Sequence, residues 1–204
     1  MDEIRHEIKV GTSRIMADSD VLILVDGEDC RLGHMSKALC HAGRGVLHRA
    51  FSLLIFNTRG ELLLQQRSPT KRLWPLYWSN SCCSHPRGNE SMRVATQRRL
   101  REELGLTCAL RFLYKFQYHA QFDDDGAEHE LCSVFIGRCD ETPRVNAEEI
   151  HDWRWIAPAV LQAEMDGADR EKYTPWFRLE WARVWSDHRA TVAALQPRAG
   201  ARSR

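Results

Sequence analysis

Nowhere in this chain of 204 residues does an apolar run reach the roughly 18 residues that a helix needs to cross a bilayer. The opening Met1-Asp2-Glu3-Ile4-Arg5 turns acidic at once and has no apolar h-region, so a secretory leader is not expected. Neither sign of charge dominates. The 29 Lys and Arg stand against 28 Asp and Glu, a net of +1, and provide no global field for nucleic acid or a membrane surface. Any anion must therefore be gripped by a local cluster. The seven cysteines form neither the paired CxxC knuckles of a zinc ribbon nor the dense framework of a small secreted domain. Reduced thiols and a cytoplasmic setting are the expectations, with no nucleic-acid or membrane partner.

What is present suffices for one domain with a real core, since 43% of the residues are hydrophobic. Val21-Leu22-Ile23-Leu24-Val25, closed by Asp26-Gly27, reads as a buried strand and turn, and the polar stretch onward to Leu47 as loop with a helical turn. Phe51 to Phe56 and Glu61 to Arg67 flank Asn57-Thr58-Arg59-Gly60, the pattern of a β-hairpin in the core sheet. Pro69, Pro75 and Pro86 punctuate a long irregular segment, a kind of loop that often carries function. Met92, Ala95, Thr96, Arg99 and Leu100 recur at helical intervals before Gly105, a C-cap candidate. Strands are predicted at 113–119, 131–138 and 153–156, and a last helix at 175–188. The fold class expected is α/β (α+β).

The chemistry lies in His41, His48, Cys83, His85, Glu103, Glu128 and Glu130: imidazoles, carboxylates and a thiol fit to bind a divalent metal and move protons beside it. Taken singly, each histidine reads as an ordinary surface or core-polar residue. On the helix, Arg99 and Glu103 are four apart and share a face. A carboxylate there would hold Mg²⁺ while the guanidinium grips a phosphate oxygen. Ordinary surface charge pairing is the bland alternative.

The stretch from Ser84 to Leu106 resembles the Nudix box, with Glu90, Arg98, Leu100, Glu102, Glu103, Gly105 and Leu106 at its spacing. Ser84 stands at the opening glycine and Arg99 at a glutamate of the hydrolytic metal cluster, which favours a non-hydrolytic member. Together with His41, His48, the run Asn80 to Pro86, and Glu128-His129-Glu130, the chain from about Gly33 to Trp185 resembles type I isopentenyl-diphosphate isomerase.

That resemblance implies a Nudix-type mixed sheet flanked by helices in a single domain. Its boundaries would be an N-terminal segment 1–32 on the core, an isomerase domain 33–190 and a disordered tail 191–204. It implies a 1,3-allylic proton shift between isopentenyl and dimethylallyl diphosphate through a tertiary carbocation. Cys83 and Glu130 would be the proton-transfer pair, Tyr118 a relay and Trp176 the cation-facing ring. Lys37, Arg67, Lys71 and Arg99 would contact the diphosphate. A metal (Mn²⁺, Zn²⁺ or Mg²⁺) would sit at His41, His48, His85, Glu128 and Glu130, and a Mg²⁺ at Glu103 near the Cys83 backbone. Cys82 and Cys83 should face opposite ways in an extended segment. Two other readings remain: a Nudix hydrolase of a nucleoside diphosphate derivative, and a metal-stabilised module without catalysis.

Overall fold

The computed structural model describes residues 21–124 and 126–195. Nine strands form one mixed sheet: β1 Val21–Val25, β2 Arg31–Ser36, β3 His48–Phe56, β4 Leu62–Arg67, β5 Trp78–Ser79, β6 Cys82–Ser84, β7 Leu110–Asp123, β8 Gly126–Arg138 and β9 Ile150–Ile156. The helices are α1 Lys37–Cys40, α2 Met92–Leu104, α3 Pro158–Asp166, α4 Pro175–Asp187 and α5 Arg189–Ala193, with a 3-10 segment at Ala168–Lys172. None is long and apolar enough to cross a membrane.

β3 is the axis of the fold. It pairs in parallel with β8 from His48↔Glu130 to Phe56↔Arg138, and on its other edge antiparallel with β6. A strand covered on both faces needs apolar side chains on both, which the run Phe51 to Phe56 supplies apart from Ser52. Leu54 and Phe56 face a core closed by Phe177, Trp181 and Val184 of α4 and Leu161 of α3. Phe51, Leu53 and Ile55 face the opposite core, closed by Ala95, Leu100 and Leu104 of α2. Each such buried leucine or phenylalanine contributes about 1.5–3 kcal/mol of transfer free energy.

The helix predicted ahead of Gly105 is α2. The Ser91 side chain caps it by accepting from Val94 N–H at 3.4 Å. Gly105 ends it at φ +66, where a β-carbon would lie 3.1 Å from the Arg144 side chain.

Four expectations need correction. The stretch read as loop before Leu47 contains β2, whose Arg31 and Leu32 are exposed and whose only strand partner among the described residues is β1. The predicted hairpin exists only at its turn: β3 and β4 share the single pair Phe56↔Leu62, after which β4 leaves to pair with β9. Only the short β5 and β6 interrupt the irregular proline-rich segment, and α3 was not anticipated. The tail expected from 191 begins inside α5, where Val192 is buried. Residues 1–20 and 196–204 lie outside the described residues, and Gly33, the expected domain boundary, falls within β2.

Candidate active site

Three ends of secondary structure bring the histidines together. His41 is the C-cap of α1, His48 is the first residue of β3, and His85 follows β6 directly. Their ring centroids lie 4.8 to 5.4 Å apart. Glu128 and Glu130 alternate along β8 and so project to the same face, with Glu130 in register with His48. One ligand atom from each of the five residues falls within 4.8 Å of the others.

The set is shaped for a cation. His41 Nδ1 donates to Lys37 O at 2.7 Å and His48 Nδ1 to Val46 O at 2.7 Å, which turns both Nε2 atoms toward the carboxylates. His48 is fully buried, and its Nε2 lacks a hydrogen-bond partner while standing 3.7 Å from Glu130 Oε1. His41 Nε2 lies 2.9 Å from Glu128 Oε2, and His85 Nε2 lies 2.9 Å from Glu130 Oε1. Burial pulls His85 down to about 3, so it presents a neutral imidazole. Burial also opposes ionisation of Glu130, but the hydrogen bond with His85 and the nearness of His48 outweigh it and hold that carboxyl well below its ordinary range. Neutral nitrogen and ionised oxygen are the donors a divalent metal requires.

Beside this set opens a cavity of about 840 Å³. It is lined by Cys83, Tyr118, Glu130 and Trp176 and by the cations Lys37, Arg67, Lys71 and Arg99. Cys82 turns into the α2-side core and Cys83 into the cavity, as alternation requires. Burial pushes the Cys83 thiol up to about 12 and Tyr118 well above the usual phenol range, so both keep their protons. The Tyr118 hydroxyl donates to Glu130 Oε2 at 2.7 Å. Trp176, 2% exposed, packs edge-on against Trp74 and has the Arg67 guanidinium 5.2 Å from its ring centre.

The cations are held differently. Arg67 donates to Trp74 O at 3.0 Å and Leu73 O at 2.8 Å, bracing a loop in which Trp74 and Leu76 adopt positive φ. Lys37 keeps an exposed outer surface, yet loss of hydration in its crowded surroundings, reinforced by Lys71, lowers its pKa. Lys71 and Arg99 both pair with Glu149, whose carboxyl is held down at about 2: burial opposes this and the two cations prevail.

Glu103 does not line the cavity. It is buried behind Arg99, which donates to it from Nε at 3.0 Å. Arg98 turns the other way and clamps Glu90 at 2.7 Å and Glu102 at 3.0 Å. His34, His119 and His129 bond elsewhere and take no part in the cluster. Sequence reasoning missed Glu149 and Arg72, which lines the cavity and donates to His41 O at 2.6 Å. Lys71, next in sequence to Arg72, was the only available pointer.

A family profile described as NUDIX domain matches residues 46–177. Isopentenyl-diphosphate Delta-isomerase 1 of Photorhabdus laumondii is 43% identical over 169 residues, covering 82% of this chain and 96% of the relative. The chain belongs to the isopentenyl-diphosphate Delta-isomerase family. Another member of that family, from Serratia proteamaculans, is 43% identical over 158 residues, covering 78% of this chain and 87% of its own. The isomerase family's Nudix fold is seen again in a solved protein of Deinococcus radiodurans, with TM-score 0.65 at 24% identity over 80% of this chain and 98% of that one. A MutT protein of Methanosarcina mazei gives TM-score 0.55 at 20% identity, over 67% and 91% respectively.

Proposed function

We propose that this chain interconverts isopentenyl and dimethylallyl diphosphate for isoprenoid biosynthesis, with Cys83 and Glu130 as the proton-transfer groups. The observation that carries the reading is that one cavity is lined both by the cations Lys37, Lys71 and Arg99 and by Cys83, Tyr118 and Glu130. A diphosphate suits the cations, by bidentate arginine and point-charge lysine contacts, and a five-carbon tail would then lie against Cys83, Tyr118 and Trp176.

Protonating the terminal alkene carbon makes a C–H bond and leaves a tertiary cation at the neighbouring carbon. Removing a proton from the carbon beyond it forms the new double bond, so no proton is gained or lost overall. Such a shift needs one protonated and one ionised group, and the thiol of Cys83 and the carboxylate of Glu130 are in those states. Tyr118, bonded to Glu130, returns or withdraws a proton without a water entering. The buried Trp176 ring offers a π-face to the cation and excludes water.

His41, His48, His85, Glu128 and Glu130 would hold a divalent ion, Mn²⁺ or Zn²⁺ suiting imidazole better than Mg²⁺, while Glu103 would serve a Mg²⁺ bound with the diphosphate once Arg99, which covers it here, turns to a phosphate oxygen. Bound there, the first ion would lower the proton affinity of Glu130 and the second would neutralise phosphate oxygens. The deciding assay follows dimethylallyl diphosphate and inorganic phosphate together after isopentenyl diphosphate is added with Mg²⁺. Isomer without phosphate release supports the proposal. Phosphate release would return the chain to the hydrolase reading, and neither product across Mg²⁺, Mn²⁺ and Zn²⁺ would return it to the metal-stabilised module.

A further inference from the structure

Glu180 of α4 is fully buried, lies one helical turn beyond Trp176 on the same inward face, and has no part in the site described above. A carboxyl wholly removed from water needs partners. The Ser52 hydroxyl donates to its Oε1 at 2.5 Å, and the Cys132 thiol donates in turn to Ser52 Oγ at 3.4 Å. Its second oxygen has no hydrogen-bond partner. The Tyr114 hydroxyl donates to the Glu180 backbone carbonyl at 3.2 Å, fixing the helix over the sheet.

Ser52 is the one polar residue among the core-facing positions Phe51 to Phe56, and its register partner across the β3–β6 ladder is Cys83. Directly opposed residues of an antiparallel pair project to the same face, so Ser52 stands beside the cavity-facing thiol with Glu180 behind it. That ladder is short, Phe51↔Ser84 to Leu53↔Cys82, with three residue pairs in register. A strand of three residues has little pairing of its own to hold a side chain in place, and an anchor from the helix supplies what the ladder lacks. Burial pushes the Glu180 carboxyl up to about 8, which agrees with a group that acts while protonated.

We propose that Glu180 is a positioning residue for proton transfer: through Ser52 it fixes the short β3–β6 ladder that displays Cys83, acting by hydrogen bonding rather than by charge. The proposal rests on the reading of Cys83 as a proton-transfer group.

The test compares Glu180→Gln, Glu180→Met, Ser52→Ala and the pair Ser52→Ala with Glu180→Met, in otherwise intact protein loaded with metal. Cys83→Ser is the control for the reading beneath it. Steady-state kinetics are joined by the rate at which iodoacetamide alkylates Cys83, read by peptide mass spectrometry against the exposed Cys30. Glu180→Gln keeps the shape and the hydrogen bond and should retain kcat. Glu180→Met and Ser52→Ala should each lower kcat about tenfold with KM unchanged, a misplacement of the thiol being costly. Both should change Cys83 alkylation by about threefold while Cys30 is unaffected, and the double variant should lose no more than either single one. Unaltered kcat and alkylation in Ser52→Ala overturn the inference even where Glu180→Met does not fold. So does an inactive Glu180→Gln that folds, because charge would then be the operative property. Full activity in Cys83→Ser would instead sink the reading of Cys83, while the alkylation rates still report whether Glu180 positions it.

Discussion

The hydroxyl of Tyr118 donates to Oε2 of Glu130 at 2.7 Å, and the two residues are register partners across β7 and β8. The sheet itself therefore sets this contact, and no loop movement is needed to form it. With Oε1 turned to His85, the Glu130 carboxylate is oriented from both sides. Tyr118→Phe removes only the hydroxyl, so the ring contacts with Trp176 and Phe116 persist. The expected result is a fall in kcat of about 10- to 100-fold with KM within a factor of two. Metal content should not change, because Tyr118 is not among the five converging ligands. Steady-state kinetics beside elemental analysis check this, and an unchanged kcat would show that the hydroxyl relays nothing.

His48 gives the clearest test of the metal set, since it is fully buried and its Nε2 has no hydrogen-bond partner. A chelator should abolish turnover. Mn²⁺ or Zn²⁺ should restore it, and Ca²⁺ should not, because calcium takes oxygen ligands and three of these five are imidazoles. His48→Gln should bind Mn²⁺ at least about tenfold more weakly by competition titration, with its circular dichroism unchanged. Equal recovery with Ca²⁺ would show that the histidines are not the ligands.

α2 and β8 could be read from the sequence because burial imprints a period on them, three to four in the helix and two or continuous in the strand. β2 carries no such imprint: it is a largely exposed edge strand, and Arg31-Leu32-Gly33-His34 shows no alternation. The hairpin expectation failed for a related reason. A local pattern identifies strands but not their partners, and β4 finds its long partner β9 more than eighty residues away. The ligand set was legible only through the order of separated motifs, since no histidine stands out alone. Ser52 and Glu180, 128 positions apart, and Glu149 between Lys71 and Arg99 had no motif to announce them.

Lys71 and Arg99 share Glu149 but differ in what their loss leaves behind. Lys71 is part-exposed, and removing it strands nothing fully buried. Arg99 neutralises Glu103, which is 2% exposed, so its removal leaves an uncompensated buried carboxylate. Lys71→Met should weaken inorganic pyrophosphate binding about tenfold by calorimetry with little change in melting temperature. Arg99→Met should weaken binding similarly and also cost about 3 kcal/mol of stability. Equal stability losses in the two variants would mean that Glu103 finds other compensation.

The buried Glu180 makes a prediction about stability that is separate from its effect on turnover. Its carboxyl is raised to about 8 from an ordinary 4.5, so between those values the unfolded chain is ionised while the folded chain holds the proton. Folding then takes up a proton, and stability is lost progressively as pH rises from about 4.5 to about 8, after which the loss is constant. At about 1.4 kcal/mol per pH unit the full penalty is on the order of 5 kcal/mol. Glu180→Gln removes the titration while keeping the hydrogen bond from Ser52, so it should be more stable than the parent at pH 8 and nearly equal to it at pH 4.5. Urea denaturation at both pH values gives the difference directly. A stability gap that does not grow with pH would show that Glu180 is already ionised in the folded protein, which would require an unseen cation or ordered water at its unpartnered oxygen.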